Sequence, residues 1–326
     1  MMPSGGADLL SAHARYAAHA AAACGYNFRS LDGPDGYLFE VRDGARTGVF
    51  AAGAGTPYAM NDARAAALAR DKAFCAEALR SAGVPVLPGR MFFVTPRWAE
   101  MRSPGREIAD ALAFAARAEY PLFCKPISAS NGLYAEVIES STAFAHYVER
   151  VGREHFAVLV QPFVRADEYR VFVLNGEPLF SYRKQLPRVI GDGRRSLREL
   201  AEEMPREAGA PAPKPRGRDE SGRLIAPGTV PAAGVEVVLE GPANRAAGGG
   251  AANLRDGAPG ALGALAVRAA GAIGLKLAGV DIFDMADGGL AVIEVNSNPM
   301  IATLEEHDRW DLIDAIWRAN FAAALR

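Results

Sequence analysis

The chain has 326 residues, half of them apolar, and a formal net charge of −2. This length can fill a sizeable hydrophobic core and predicts two or three packed units. The near-neutral charge argues against nucleic acid and against an anionic membrane as partners. The three cysteines (Cys24, Cys75 and Cys124) are widely spaced, which favours a reduced protein of the cytoplasm.

The first sixty residues predict a short α/β unit. The alanine-rich stretch 7–24 is interrupted by charged residues, so it favours a surface helix over a membrane span or a signal peptide. Two apolar runs follow at 37–41 and 47–51, and the Asp43-Gly44 turn between them predicts a hairpin. We expect this unit to end at residue 61.

Helical and strand patterns alternate over the next part of the chain. Asp62 is placed to cap one long helix that ends at Gly83. Asn175-Gly176 predicts a tight hairpin between two long strands. The elements predicted in order after Gly83 are a strand at 91–94, a helix at 107–119, a strand at 122–127, a helix at 141–151, and strands at 156–164, 168–174 and 177–184.

The remaining third mixes irregular segments with helices. Ser196-Leu-Arg-Glu199 is a capping box that opens a short helix. Residues 205–230 are crowded with Pro, Gly, Arg and Lys, which is typical of a disordered segment or of a working loop. Helices are predicted at 260–277 and 310–325. Mixed helices and mostly antiparallel strands predict an α+β protein.

Three oxygen-bearing side chains converge in the last predicted hairpin. Asp281 lies in one apolar run, Glu294 and Asn296 lie in the next, and an Asp287-Gly288 turn separates the runs. Glu294 and Asn296 share a strand face because side chains at i and i+2 point the same way. Carboxylate and amide oxygens suit hard cations, Mg²⁺ above all. The alternative is an exposed hairpin that merely carries acids.

Lys125 lies in an otherwise apolar strand, where a buried ammonium group needs an anion. The small, polar loop 128–132 follows and can present backbone N–H groups to a polyphosphate, although it is not a P-loop. Taken alone, Lys125 would equally well be a snorkelling lysine. The acidic hairpin favours a phosphate contact.

The segment 161–164 ends an apolar strand, and its free backbone groups beside an apolar wall suit a flat purine ring. Glu168 then stands where it can accept hydrogen bonds from ribose hydroxyls. The alternative is an ordinary connection between strands with a solvated glutamate.

Together these residues resemble the nucleotide and metal set of the ATP-grasp superfamily. The residues that carry the resemblance are Lys72, Lys125, 161–168, Asp281, Glu294 and Asn296. More narrowly, the stretch 183–200 and the segments 230–231 and 244–249 resemble the ATP-grasp domains of cyanophycin synthetases and of bifunctional glutathione synthetases. The resemblance covers roughly residues 62 to 325.

The resemblance implies an ATP-grasp fold, in which two α/β lobes hold ATP between antiparallel sheets. Residues 62–162 would form the N-lobe, which covers the nucleotide, and residues 163–326 would form the C-lobe with the metal and substrate site. The implied reaction is ATP-dependent joining of a carboxylate to an amine. The carboxylate attacks the γ-phosphoryl group, and an amine of an amino acid or short peptide then displaces phosphate from the acyl phosphate.

The resemblance also implies a role for each matching residue. The implied nucleotide-binding set is Lys72, Lys125, Ser130, Asn131, Gly132, Gln161, Phe163, Val164 and Glu168. The implied ligands of two Mg²⁺ ions, with Mn²⁺ as an alternative, are Asp281, Glu294 and Asn296. Arg183, Arg170 and Asn298 are the implied catalytic residues, Asn244, Gly248 and Gly249 the implied substrate contacts, and 205–230 the segment that closes over the reactants.

Two other functions stay open at this stage. One is an ATP-grasp phosphotransferase, a kinase with the same nucleotide site and a hydroxyl acceptor. The other is a non-catalytic ATP-binding subunit, against which the complete acidic set argues. Gly279 stands where D-alanine–D-alanine ligases carry a substrate-binding arginine, which argues against that substrate pair. A homodimer is the assembly to be tested.

Overall fold

The structure is a computed structural model that describes residues 9, 11–52, 57–130, 132–205, 213–240 and 249–325. Its elements are α1 (Ala12–Cys24), β1 (Asn27–Ser30), β2 (Leu38–Asp43), β3 (Arg46–Ala51), α2 (Ala63–Arg70), α3 (Lys72–Ser81), β4 (Arg90–Phe93), α4 (Ile108–Ala115), β5 (Leu122–Pro126), β6 (Glu136–Ile138), α5 (Ser141–Val151), β7 (Ala157–Pro162), β8 (Asp167–Leu174), β9 (Glu177–Gln185), β10 (Arg188–Ile190), α6 (Leu197–Glu202), β11 (Gly217–Asp219), β12 (Leu224–Ile225), β13 (Glu236–Leu239), β14 (Gly250–Asp256), α7 (Gly260–Ile273), β15 (Leu277–Asp284), β16 (Leu290–Asn296), α8 (Ala302–Glu306) and α9 (Trp310–Ala324).

The first unit is an antiparallel sheet in the order β1-β2-β3, packed against α1 and α9. Ser11 caps α1, because its side chain accepts from the Ala14 N–H. The inner face of the sheet is apolar, and Phe39 and Phe50 stack there beside Trp317 of α9. Residues from both ends of the described chain therefore form one core.

The second unit is an antiparallel sheet in the order β4-β7-β5-β6. Cys124 and Val160 point to one face of it and pack against α4 and α5. Side chains alternate along a strand, so Lys125 and Gln161 point to the opposite face.

The third unit is an antiparallel sheet in the order β14-β9-β8-β15-β16. One face packs against α2, α3 and α7 through residues such as Val171 and Val280. The other face is covered in part by the first unit, where Phe172 and Leu277 join its core. The remainder of that face carries charged side chains. The boundaries expected at residues 61 and 162 stay a prediction.

The segment 205–230, expected to be a disordered segment or a working loop, contains two short strands in its described part. Strands β11 and β12 belong to a small sheet in the order β10-β13-β11-β12. Val189, Leu197 and Val237 belong to the core of this sheet and α6. The described part is therefore a packed subdomain, and residues 206–212 lie outside the described ranges.

The single long helix expected from Asp62 to Gly83 is wrong, because the helix breaks at Asp71. Asp71 is extended (φ −89°, ψ 103°), and its side chain accepts from the N–H groups of Ala73 and Phe74. It thereby caps a second helix, α3, and Lys72 becomes the first residue of that helix.

The three cysteines are free thiols. None of the helices in the described ranges combines the length and the apolar character that crossing a bilayer requires.

Candidate active site

Charged side chains from the third unit's sheet, from α3 and from β5 gather beside the part of that sheet which the first unit covers. Strand pairing places Arg170 opposite Asp281, and Asp281 opposite Glu294. We call this group the charged layer, and it comprises Lys72, Lys125, Glu168, Arg170, Lys184, Asp281 and Glu294. It combines four cations with three carboxylates.

Asp281 is the most tightly held member of the charged layer. Its Oδ1 accepts from Arg170 Nε at 2.8 Å, and its Oδ2 accepts from Arg170 Nη2 at 2.7 Å. Lys184 Nζ donates to Oδ2 at 3.0 Å. Burial alone would raise the pKa of Asp281, but the two neighbouring cations outweigh it and hold the pKa well below its usual range.

Lys72 of α3 connects the second unit to the third. Lys72 Nζ lies 3.6 Å from a Glu294 carboxylate oxygen and donates to the Ala129 carbonyl at 2.7 Å. The Lys72 backbone N–H also donates to the Ile127 carbonyl at 2.9 Å. Lys72 thus ties the loop after β5 to strand β16, a placement that depends on the helix break at Asp71.

Lys184 lies in the charged layer, whereas Arg183 does not. Lys184 Nζ donates to Glu168 as well as to Asp281. Arg183 pairs with Asp167 at 3.2 Å and is about one-third exposed. Since neighbouring strand residues point to opposite faces, Arg183 lies on the α7 side of the sheet. Arg183, which the sequence predicted in the site, therefore lies outside the charged layer, and Lys184, which no sequence motif singled out, lies inside it.

Lys125 is buried, with 6% of its surface exposed. Its ammonium group lies 5.9 Å from the Phe123 ring centroid, and within the described ranges no hydrogen bond or ion pair holds it. Burial lowers the pKa of Lys125; Glu294 opposes this shift and Lys72 reinforces it. A buried cation in this condition is suited to an anionic ligand.

Gln161 is 3% exposed, and its Oε1 has no hydrogen-bond partner among the described residues. It lines a small cavity together with Lys72 and Glu294, so it lies where the second and third units meet. A buried acceptor without a partner suits a ligand with an N–H or amino group. Phe163 and Val164, which follow, are half-buried.

Comparison with known proteins identifies the fold. Residues 247–319 match the RimK-like ATP-grasp domain family. The crystal structure of a bifunctional glutathione synthetase from Pasteurella multocida superposes with a TM-score of 0.50 at 20% identity, covering 95% of this chain and 45% of that one. The chain has the ATP-grasp fold. The predicted α+β class and ATP-grasp architecture are therefore confirmed.

Curated relatives agree with this ATP-grasp assignment. The glutathione biosynthesis bifunctional protein GshAB of Desulfotalea psychrophila is 26% identical over 227 residues, which is 64% of this chain and 29% of that protein. The D-alanine–D-alanine ligase of Ectopseudomonas mendocina is 33% identical over 137 residues, 42% of this chain and 39% of the ligase. The chain thus spans well under half the length of these relatives.

The predicted metal ligands differ in whether their oxygen atoms already accept hydrogen bonds within the protein. Both carboxylate oxygens of Asp281 accept from cations. The Asn296 Nδ2 donates to the Gly279 carbonyl at 3.4 Å, which uses the donor end of the amide and not its Oδ1. Within the described ranges no group of three or more His, Cys, Asp and Glu side chains could hold a metal ion. Glu294 and Asn296 fit Mg²⁺ that arrives with phosphate oxygens, since Mg²⁺ keeps few protein ligands.

The other predicted site residues lie in the loop after β5, just before β14 and just after β16, or they fall outside the described ranges. Ser130 and Gly132 flank the loop near Lys72, and Gly132 has a positive φ of 73°. Gly249 immediately precedes β14, and Asn298 is half-buried two residues after β16. Asn131, Asn244 and Gly248 fall outside the described residues.

Proposed function

We propose that this chain is an ADP-forming ATP-grasp ligase that joins a carboxylate to an amine through an acyl phosphate. The observation that carries the proposal is the charged layer, which gathers four cations and three carboxylates from the second and third units and from α3. The names of the relatives, glutathione biosynthesis proteins and D-alanine–D-alanine ligases, favour amino acids or short peptides as substrates.

Nucleotide binding would supply partners for the polar side chains of the second unit and of α3. The orphaned Gln161 Oε1 suits the exocyclic amine of adenine. Lys125 and Lys72 supply positive charge to the phosphates, and the buried Lys125 gains the anionic partner that it needs. Glu168 accepts from Lys184 and has further acceptor capacity for ribose hydroxyls.

The acidic hairpin accounts for the metal. Mg²⁺, when bound, neutralises phosphate charge and favours transfer of the γ-phosphoryl group. Glu294 and Asn296 would hold two such ions together with Asp281, and Mn²⁺ could replace them. Asp281 would have to share its oxygens with Arg170 and Lys184, because both of those cations already contact it.

Arg170 is the best-placed residue to stabilise the acyl phosphate. Asp281 accepts from Nε and Nη2 and so fixes the plane of the Arg170 guanidinium, whose remaining N–H groups, on Nη1 and Nη2, can donate to phosphoryl oxygens. A Cβ atom added at Gly279 would lie 2.8 Å from Pro299 Cβ and 3.7 Å from Arg170 Nε. Position 279 therefore has no room for an arginine, and Arg170 supplies a guanidinium from the neighbouring strand.

The test is incubation with ATP, Mg²⁺ and a panel of amino acids and short peptides, singly and in pairs. Phosphate release and mass spectrometry are the readouts, and hydroxylamine is added to a parallel reaction. We expect a product one water lighter than its two substrates, and a hydroxamate in the parallel reaction. Glu294→Gln should lower the yield of both products by about 100-fold, whereas Asp167→Asn, which changes a carboxylate paired outside the charged layer, should keep them.

Two other outcomes would contradict the ligase. A stable phosphorylated product without an amide or a hydroxamate would favour the phosphotransferase. Tight ATP binding with no phosphate release from any mixture would favour the non-catalytic ATP-binding subunit.

A further inference from the structure

The segment 57–61, which we call the brace segment, contacts the hairpin of β15 and β16 where β15 begins and β16 ends. Its last residue, Asn61, is 7% exposed, and its side chain makes four hydrogen bonds. The Asn61 Nδ2 donates to the carbonyls of Leu277 at 2.8 Å and Ser297 at 3.0 Å. The Asn61 Oδ1 accepts from the N–H groups of Lys276 at 3.0 Å and Leu277 at 3.1 Å.

These four bonds join two strands that carry site residues. Leu277 begins β15, the strand of Asp281, and Ser297 follows Asn296 at the end of β16. Asparagine suits the position because a primary amide both donates two hydrogen bonds and accepts two. Each buried backbone group that Asn61 contacts would otherwise need another partner.

Tyr58 extends the same contact by one more hydrogen bond. The Tyr58 ring is fully buried, and its hydroxyl donates to the Pro299 carbonyl at 3.1 Å. The brace segment is held from behind by Asn320 of α9, whose amide contacts Ala59 N at 2.7 Å and the Pro57 carbonyl at 2.8 Å. The brace segment is therefore fixed on both sides.

The loop 297–299, which the brace segment holds, packs closely against strand β15. Pro299 approaches Gly279 so closely that a Cβ atom there would meet Pro299 Cβ at 2.8 Å. The Gly279 carbonyl in turn accepts from Asn296. A shift of loop 297–299 would thus move Asn296 and Asn298 together.

We propose that Asn61 and Tyr58 are positioning residues that set the orientation of Asn296, and with it the affinity for Mg²⁺-bound nucleotide. The proposal rests on the proposed function, because it assumes that Asn296 is a metal ligand. Neither residue belongs to the charged layer, so the first unit, which we expect to end at Asn61, would act on the chemistry of the site through the position of loop 297–299.

Calorimetric titration with ADP, with and without Mg²⁺, separates this role from a merely structural one. ADP affinity without Mg²⁺ reports Lys72, Lys125 and Gln161, and the gain in affinity on adding Mg²⁺ reports the hairpin. We expect Asn61→Ala to reduce that gain by about tenfold, and Tyr58→Phe by about threefold, because one to four hydrogen bonds are lost. ADP affinity without Mg²⁺ should change less than twofold.

Tyr147→Phe is the matched control. The Tyr147 ring is buried in the core of the second unit, and its hydroxyl, like that of Tyr58, donates to a backbone carbonyl, that of Tyr134 at 2.9 Å. We expect Tyr147→Phe to lower the thermal midpoint as much as Tyr58→Phe does while leaving the Mg²⁺-dependent gain intact. If Asn61→Ala does not fold, Tyr58→Phe against Tyr147→Phe still decides the question.

Each other outcome overturns a defined statement. A Mg²⁺-dependent gain that is equal in wild type, Asn61→Ala and Tyr58→Phe refutes the positioning role and leaves the ligase proposal standing. An equal loss in Tyr147→Phe shows a general effect of stability and also refutes the positioning role. Wild-type ADP binding that does not respond to Mg²⁺ refutes the metal site and the positioning role together.

Discussion

Lys125→Met is the most informative single substitution, because it should change stability and nucleotide affinity in opposite directions. Methionine keeps most of the aliphatic stem and removes the charge. In the structure Lys125 is buried, is attracted by Glu294 and is repelled by Lys72. These charge interactions partly offset one another, so the cost of burying the ammonium group is incompletely compensated.

We therefore expect Lys125→Met to raise the free energy of unfolding without nucleotide by about 1 kcal/mol at pH 7, at the low end of what apolar replacements of buried ions give. Nucleotide affinity should fall, because a hydrogen bond to a charged group contributes about 1.5–3 kcal/mol. That loss corresponds to roughly 10- to 100-fold weaker ADP binding.

The stability gain should depend on pH in a defined direction. The pKa of Lys125 is lowered in the folded chain, so between the folded and unfolded pKa values the unfolded chain binds more protons. Wild-type stability therefore rises with pH in that interval relative to the variant. The advantage of Lys125→Met should be full below the lowered pKa and shrink as the pH approaches the ordinary lysine value.

Urea unfolding at several pH values and calorimetry with ADP measure both effects, with Lys214→Met, an exposed lysine, as the control. A Lys125→Met variant that is more than about 1 kcal/mol less stable at pH 7, with unaltered ADP affinity, would refute the reasoning. Lys125 would then contribute to the stability of the charged layer and not to nucleotide binding.

Three further substitutions test the charged layer. Glu294→Gln should lower ATP-dependent phosphate release by about 100-fold with an intact fold, because a charge is removed from the metal edge; near-normal release at saturating substrate would exclude Glu294 as a metal ligand. Lys184→Met should lower release by at least about tenfold and raise the pKa of Asp281, and an unchanged rate would make Lys184 purely structural. Arg183→Lys should keep the rate within about twofold, since Arg183 pairs with Asp167 on the other side of the sheet; a large loss measured in the same phosphate assay would restore Arg183 to the site.

The structure places Lys184 in the charged layer where Arg183 was expected, and the physical cause is a shift in strand register. Counting outward from the Asn175-Gly176 turn without interruption pairs Arg183 with Glu168. The structure has a bulge next to Pro178, after which the β8–β9 register is shifted by one residue. Proline lacks an amide N–H and marks such bulges, and a slip of one residue turns every later side chain to the other face.

The acidic hairpin was predictable for the opposite reason. Asp281 and Glu294 lie in two apolar runs joined by a D-G turn, so local pattern alone predicts the strands, and the structure pairs these two residues directly. The helix break at Asp71 was less evident, because the alanine-rich pattern continues through it. An Asp inside such a pattern is itself a capping signal.

Long-range contacts explain what sequence reasoning could not reach. Asn61 bonds to residues more than two hundred positions away, and in the sequence it is only the neighbour of a helix cap. The spacing of apolar residues along the sequence does not reveal a hydrogen bond of that kind. The subdomain built from β10 to β13 was missed for a similar reason, because its strands are only two to four residues long and lie among prolines and glycines.

The shared core of the first unit and α9 has a consequence for biosynthesis. Phe39 and Phe50 become buried when Trp317 and Phe321 pack beside them, yet α9 is made long after β3 has left the ribosome. At synthesis rates of about 5–20 residues per second, that delay is on the order of ten seconds or more. During that delay the inner face of the first sheet lacks the cover that α9 provides, and chaperones or other unfolded chains can contact it. The first unit can therefore acquire its complete core only after α9 has been synthesised.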